Sequence, residues 1–308
     1  HSLAWIGDRG EFARQVAAHQ ERLHALFGVE PRTFRNTELI IDADLAPWLE
    51  SAGFDQLLAE GADELLGGRS ARSPWRPAGC QRLSLLLRDY PLSDDVAFRF
   101  SNRQWPAHPL LAETYASWLK SLPPVPFVGL FMDYETFGEH QWAETGILEF
   151  MRHLPEHVLA APNLEFATPS EVARAHAPQG TLTIPRTFSW ADAERDLSAW
   201  LSNPMQKAAH AALYALLPDV LALAAGGQGE LYAIWRRLST SDHFYYMCTK
   251  FLSDQDVHEY FSPYATPHEA FVTYMNVLDD FSRRVAAALA GSEMPIDSHG
   301  SSAAEELT

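Results

Sequence analysis

Cysteine is nearly absent. Cys80 and Cys248 are the only two in 308 residues, too few for a disulfide framework or a thiolate metal site. Basic charge is also short: 23 Lys and Arg face 40 Asp and Glu, a formal net charge of −17. Such a surface repels phosphate backbones and anionic membranes, so neither nucleic acid nor a lipid surface is an expected partner. The longest apolar run, around 211–225, is interrupted by Pro218-Asp219, which argues against a membrane span. No internal repeat is present. The chain opens His1-Ser2-Leu3 with neither a methionine nor a charged-then-apolar leader. A cytoplasmic location is therefore the expectation, with a signal segment left open because the start is missing.

Aromatic residues are plentiful, with 9 Trp, 10 Tyr and 17 Phe, which suits a carbohydrate site and a large core equally. Up to about residue 142, expected strands at 32–41, 54–59, 83–87 and 127–132 alternate with expected helices at 11–27, 45–52 and 110–119. That alternation argues for a parallel α/β sheet or barrel. Beyond it strand signals vanish. Thr168-Pro169-Ser170-Glu171 is a capping box with proline at the first helical position, and helical patterns follow at 191–202, 205–217, 231–238 and 267–289. Residues 291–308 are small and polar, and disorder is expected there. The expected organisation is an α/β part over 1–142, a helical bundle over 143–290 that completes the active site, and a disordered tail over 291–308.

Three segments bear on chemistry. Phe34-Arg35-Asn36-Thr37-Glu38-Leu39 puts a glutamate near a strand end. Phe131-Met132-Asp133-Tyr134-Glu135-Thr136-Phe137-Gly138-Glu139-His140-Gln141-Trp142 runs from an apolar stretch into three acids, a histidine and aromatics. Ser239-Thr240-Ser241-Asp242-His243-Phe244-Tyr245-Tyr246-Met247 pairs an acid with a histidine ahead of flat rings. A sugar-cleaving site needs such a combination, a carboxyl to move protons and rings to stack on pyranose faces. Each segment also has a bland reading. Glu38 fits a surface acid at a strand end, Asp242 a helix N-cap, and Tyr245, Tyr246 and Trp142 fit core. Asp94, Asp95 and Arg99 read as an ion-pair cluster or as a solvated turn.

Together the three segments resemble the alpha-amylases of glycoside hydrolase family 57, and the similarity extends over 92–101 and Ser189-Trp190-Ala191-Asp192 to about residue 282. The resemblance implies a retaining mechanism on α-1,4-glucans, with Glu38 as nucleophile and Asp133 as general acid/base. His140, Trp142, Asp242 and Tyr245 would contact sugar. It implies an α-glucan substrate, no cofactor and no metal. A retaining enzyme holds its two carboxyls about 5–5.5 Å apart, and the ends of neighbouring barrel strands can supply that closeness. An acid that stays protonated needs a partly apolar or like-charged setting, which Phe131, Tyr134 and Glu135 could supply. The residues themselves do not separate Asp133 from Glu135.

The family's catalytic part is a (β/α)7 barrel followed by a helical bundle. Only four strands are expected here, and the family's N-terminal histidine motif has no counterpart before Glu38. The expectation is an incomplete (β/α)7-type barrel, inactive on its own, because four parallel strands cannot close one. Within the family, a 4-α-glucanotransferase or branching activity uses the same carboxylates with a sugar acceptor. From another class, a non-catalytic glucan-binding or regulatory protein is the rival. Asp242-His243 and Asp256-Val257-His258 are the pairs weighed as metal ligands, and neither has the close spacing of a metal-binding motif.

Overall fold

The structure is a computed structural model that describes residues 1–250 and 262–292. The chain forms two compact units, one of Arg14–Leu197 and one that joins His1–Ala13 to residues from Ser198 onward. That division falls at 197/198, whereas the sequence places its change of character at 142/143. The helix Arg9–Phe27 begins in one unit and continues in the other. The expected tail at 291–308 and the Asp256-Val257-His258 pair lie outside the described residues, apart from residues 291 and 292, which end the last helix.

The Arg14–Leu197 unit is built on three parallel strands, β1 (Thr33–Arg35), β2 (Gln56–Glu60) and a strand at Ser84–Arg88, with β2 in the middle. Leu57 pairs with Phe34 on one side and Leu85 on the other. Between β2 and Ser84–Arg88 lies a two-residue strand, β3 (Arg76–Pro77), so the Ser84–Arg88 strand is β4. β3 pairs in parallel with β5 (Thr181–Leu182), a strand in the region expected to be wholly helical. All five residues of β4 are buried although it lies at one side of this sheet, as parallel strands covered on both faces are. Burying each of Leu85, Leu86 and Leu87 contributes about 1.5–3 kcal/mol.

Two expected strands come out differently. The segment 32–41 is extended only as far as Arg35. It then turns through Asn36–Ile40, where the Asn36 side-chain amide donates to the Ile40 carbonyl at 2.9 Å. The segment 127–132 is not a strand, and only Gly129 in it is buried. Its polar groups are taken up singly instead. The Asp89 N–H donates to the Gly129 carbonyl (2.8 Å), the Phe131 N–H donates to Ser93 Oγ (3.2 Å), and Arg88 Nε donates to the Phe131 carbonyl (2.7 Å). Leu130, Met132 and Phe137 pack on a core of Leu92, Val96, Tyr115, Ile147 and Phe150. The Tyr115 hydroxyl in that core donates to the Leu92 carbonyl.

The other unit is helical in its described residues. The expected helices at 205–217, 231–238 and 267–289 appear as Pro204–Ala215, Gly229–Leu238 and Pro267–Ser292. The one expected at 191–202 shrinks to Ser198–Leu201, because Asp192 and Arg195 take positive φ and cannot continue a helix. Pro204–Ala225 is long and apolar enough to cross a membrane by length and composition alone. In the structure it is two helices, with Pro218 in the first turn of the second. Ala209, Leu213, Leu217, Val220 and Leu223 are buried in this unit. Two of the buried polar side chains here, Gln206 and Glu11, are well matched. Gln206 donates to the Ala199 and Phe244 carbonyls and accepts from the Asn203 N–H, while Glu11 accepts from Tyr232 and Arg236.

Candidate functional site

β1 delivers Glu38. The chain leaves the sheet at Arg35, and Glu38 sits in a single turn of 3-10 helix, Thr37–Leu39, with φ 54° and ψ 25°. Leu39 follows at φ 51°. Left-handed backbone at a non-glycine residue is uncommon and costs about 1–2 kcal/mol. Trp190 holds this residue at two points. Its backbone N–H donates to the Glu38 carbonyl at 3.1 Å, and its indole Nε1 donates to Glu38 Oε2 at 2.7 Å.

Asp133 lies in extended backbone immediately before the 3-10 turn Tyr134–Thr136. Its carboxylate is about a third exposed, and Arg35 Nη2 stands 3.8 Å from Oδ1. The setting therefore differs from the expected apolar or like-charged one. A cation faces Asp133, and Tyr134 points into solvent at 95% exposure. The Arg35 guanidinium also lies over the Trp190 ring, 4.7 Å from its centroid. Glu38, Trp190, Arg35 and Asp133 thus form one continuous run of contacts within a single compact unit.

Beneath this run lies a buried charge cluster. Arg88 donates to Glu60 Oε2 (3.1 Å) and to Asp94 Oδ1 (2.5 Å), and lies 5.5 Å from the Trp190 centroid. Arg195 also donates to Glu60 (2.7 Å). Burial pushes the Glu60 carboxyl up from its ordinary value, with Arg88 and Arg195 pulling the other way. The expected Asp94, Asp95 and Arg99 group is split. Asp95 pairs with Arg99 at 2.6 Å, while Asp94 turns to Arg88.

Of the expected sugar contacts, Trp142 is half exposed, which removes core packing as its role. His140 is half-buried, and burial pushes its pKa down while Glu135 and Glu139 oppose the shift. Glu135 is exposed. Asp242 and Tyr245 belong to the other unit, on the short helix Ser241–Tyr245. Thr240 is the N-cap of that helix, so the capping reading of Asp242 does not hold. Tyr245 packs against Trp200, with ring centroids 6.4 Å apart.

His153 and His157 have the H-x-x-x-H spacing on the helix Ile147–Leu159, a pair the sequence reading does not include. Among the described residues, however, no group of three or more His, Cys, Asp and Glu is placed to hold a metal. Trp190, Arg35 and Arg88 are the residues of this site that sequence reasoning leaves without a role. The only signal for them is that Arg35 and Trp190 lie in two of the matching motifs.

The fold is mixed α/β with parallel strands, and two of its turns, one after a strand and one after an extended segment, carry acids linked through an arginine and a tryptophan. The profile of glycosyl hydrolase family 57 matches residues 1–185, and this chain belongs to that family. A protein of Methanocaldococcus jannaschii with the provisional name alpha-amylase is 40% identical over 306 residues. The match takes in 95% of this chain and 64% of that protein. The chain therefore spans less than two thirds of that relative's length. The fold is similar to that of an exo-type maltose-forming amylase from Pyrococcus sp. ST04 (TM-score 0.50, 13% identity, 87% of this chain and 52% of the other). A 4-alpha-glucanotransferase from Thermococcus litoralis matches 72% of this chain and 34% of its own, at TM-score 0.47 and 20% identity.

Proposed function

We propose that this chain carries the catalytic carboxylates of a retaining glycoside hydrolase of the alpha-amylase type, acting on α-1,4-glucans. Glu38 is the nucleophile and Asp133 the general acid/base. The observation that carries this reading is the run of contacts Glu38–Trp190–Arg35–Asp133. It links two acids 95 residues apart in the sequence, Glu38 by a hydrogen bond at 2.7 Å and Asp133 by an ion pair at 3.8 Å. In the first step Glu38 bonds to the anomeric carbon as the glycosidic bond breaks, and the Asp133 proton passes to the leaving oxygen. In the second, Asp133 takes a proton from water as that water displaces Glu38.

His140, Trp142, Asp242 and Tyr245 serve as sugar contacts in this proposal, by hydrogen bonding and ring stacking. The parallel sheet is read as part of a (β/α)7-type barrel, with 1–142 supplying the carboxylates and 143–290 completing the site. The substrate is a neutral glucan, no cofactor is used, and the location is cytoplasmic.

Reducing-sugar release from amylose by the full-length protein tests the assignment. Glu38→Ala should lose it, and azide should restore turnover of an activated aryl glycoside by taking the nucleophile's place. Undiminished hydrolysis by Glu38→Ala would remove Glu38 from the mechanism.

A further inference from the structure

We infer that Trp190 is a positioning residue for Glu38, holding its backbone in the left-handed turn and its carboxylate at one fixed oxygen. This inference rests on Glu38 being the nucleophile and goes one step past it.

Glu38 at φ 54° has a backbone that does not favour the conformation it occupies. Something outside the turn must hold it there. Trp190 bonds to both ends of the residue, its peptide N–H to the Glu38 carbonyl and its indole N–H to Oε2. An indole N–H only donates. It can fix a carboxylate without exchanging protons with it and without competing for its role. Binding Oε2 leaves attack to the other oxygen. Once the glycosyl ester forms, Oε2 becomes the ester carbonyl oxygen, and the same N–H still faces it.

Trp190 is itself built in. Ser189 before it is fully buried, accepts the Ala191 N–H at its hydroxyl, and donates that hydroxyl to the Asp196 carbonyl at 2.6 Å. Phe188 pairs with Ile41 in an antiparallel bridge, which ties this loop to the chain just beyond Glu38. Arg35 covers the indole face at 4.7 Å and Arg88 approaches it at 5.5 Å. Cations over an aromatic face are attracted to it. They also make the ring's N–H a stronger donor toward an anion.

The test is Trp190→Phe, which keeps a ring for Arg35 and removes the donor. In the full-length protein with a maltooligosaccharide, kcat should fall roughly 10- to 100-fold, the worth of one hydrogen bond to a charged group. KM should stay within about twofold, because the lost contact is not to substrate. Trp190→His, which retains a ring N–H, should recover part of the rate. Should Trp190→Phe fail to fold, benzothienylalanine at position 190 replaces it as an isostere with sulfur in place of the N–H. An unchanged kcat in the folded variant, or a loss confined to KM, would overturn the inference. Glu38→Ala, run alongside, separates the two readings. If it is inactive while Trp190→Phe is normal, only the role of Trp190 fails. If Glu38→Ala is active, the assignment of the nucleophile fails as well.

Discussion

Arg88 Nε donates to the Phe131 carbonyl at 2.7 Å. The last residue of β4 thereby holds the backbone two residues before Asp133. The same guanidinium reaches Glu60 and Asp94, so one buried cation joins the sheet, the helix Tyr90–Ala97 and the segment bearing the proposed acid.

Arg88→Met should be strongly destabilising. Arg88 is 3% exposed and Glu60 fully buried, so the substitution strips a buried carboxylate of one of its two cations. Breaking a buried pair costs about 3–5 kcal/mol, readable as a lower urea midpoint. A double variant, Arg88→Met with Glu60→Leu, should recover much of that loss by removing the stranded charge.

Asp133→Asn should slow substrates with poor leaving groups far more than activated aryl glycosides, which need little protonation. Glu135, exposed on the next turn, should show no such dependence when changed to Gln. Leaving-group dependence in Glu135→Gln and none in Asp133→Asn would reverse the assignment.

Gly129→Ala tests the close approach of the Asp133 segment to β4. A Cβ at position 129 would lie 2.4 Å from the Leu87 carbonyl oxygen, and backbone cannot give way as a side chain does. Overpacking of this kind costs about 1–3 kcal/mol. Gly180→Ala is the control. Its Cβ would meet only the Trp75 ring, at 3.6 Å, and its unfolding midpoint should barely change.

His210 makes the helical unit acid-sensitive. Burial pushes its pKa down from 6.5 to about 4. The unfolded chain binds a proton below pH 6.5 and the folded one only near pH 4. Stability should therefore fall as pH drops through that window, by up to about 1.4 kcal/mol per unit, and level off below it. His210→Gln should flatten this part of the curve in urea titrations at pH 7, 5.5 and 4.5.

The elements legible in the sequence are those with a local cause. The Thr168 capping box is present in both directions, Thr168 to Glu171 and back. The apolar patterns of 11–27 and 267–289 become helices. The acids at 38 and 133 stand out because motifs surround them. What stayed hidden depends on partners far apart in the chain. Glu60 and Arg195 are 135 residues apart, and Glu38 and Trp190 are 152 apart, and no periodicity reports such pairings. The stretch 127–132 has a strand's composition, but it spends its hydrogen bonds on Arg88 and Ser93, side chains that no local pattern reveals. The helix Ile147–Leu159 carries Pro155 in its interior, a residue that normally ends a helical reading.

Position 38 is where folding and chemistry compete. Folding alone would choose Gly or Asn there, residues that accept a left-handed backbone readily. Glu38→Asn should therefore relieve the backbone but give up the indole hydrogen bond and, in the proposed mechanism, the nucleophile. In the proposed mechanism, position 38 holds the residue that the chemistry asks for and the backbone does not.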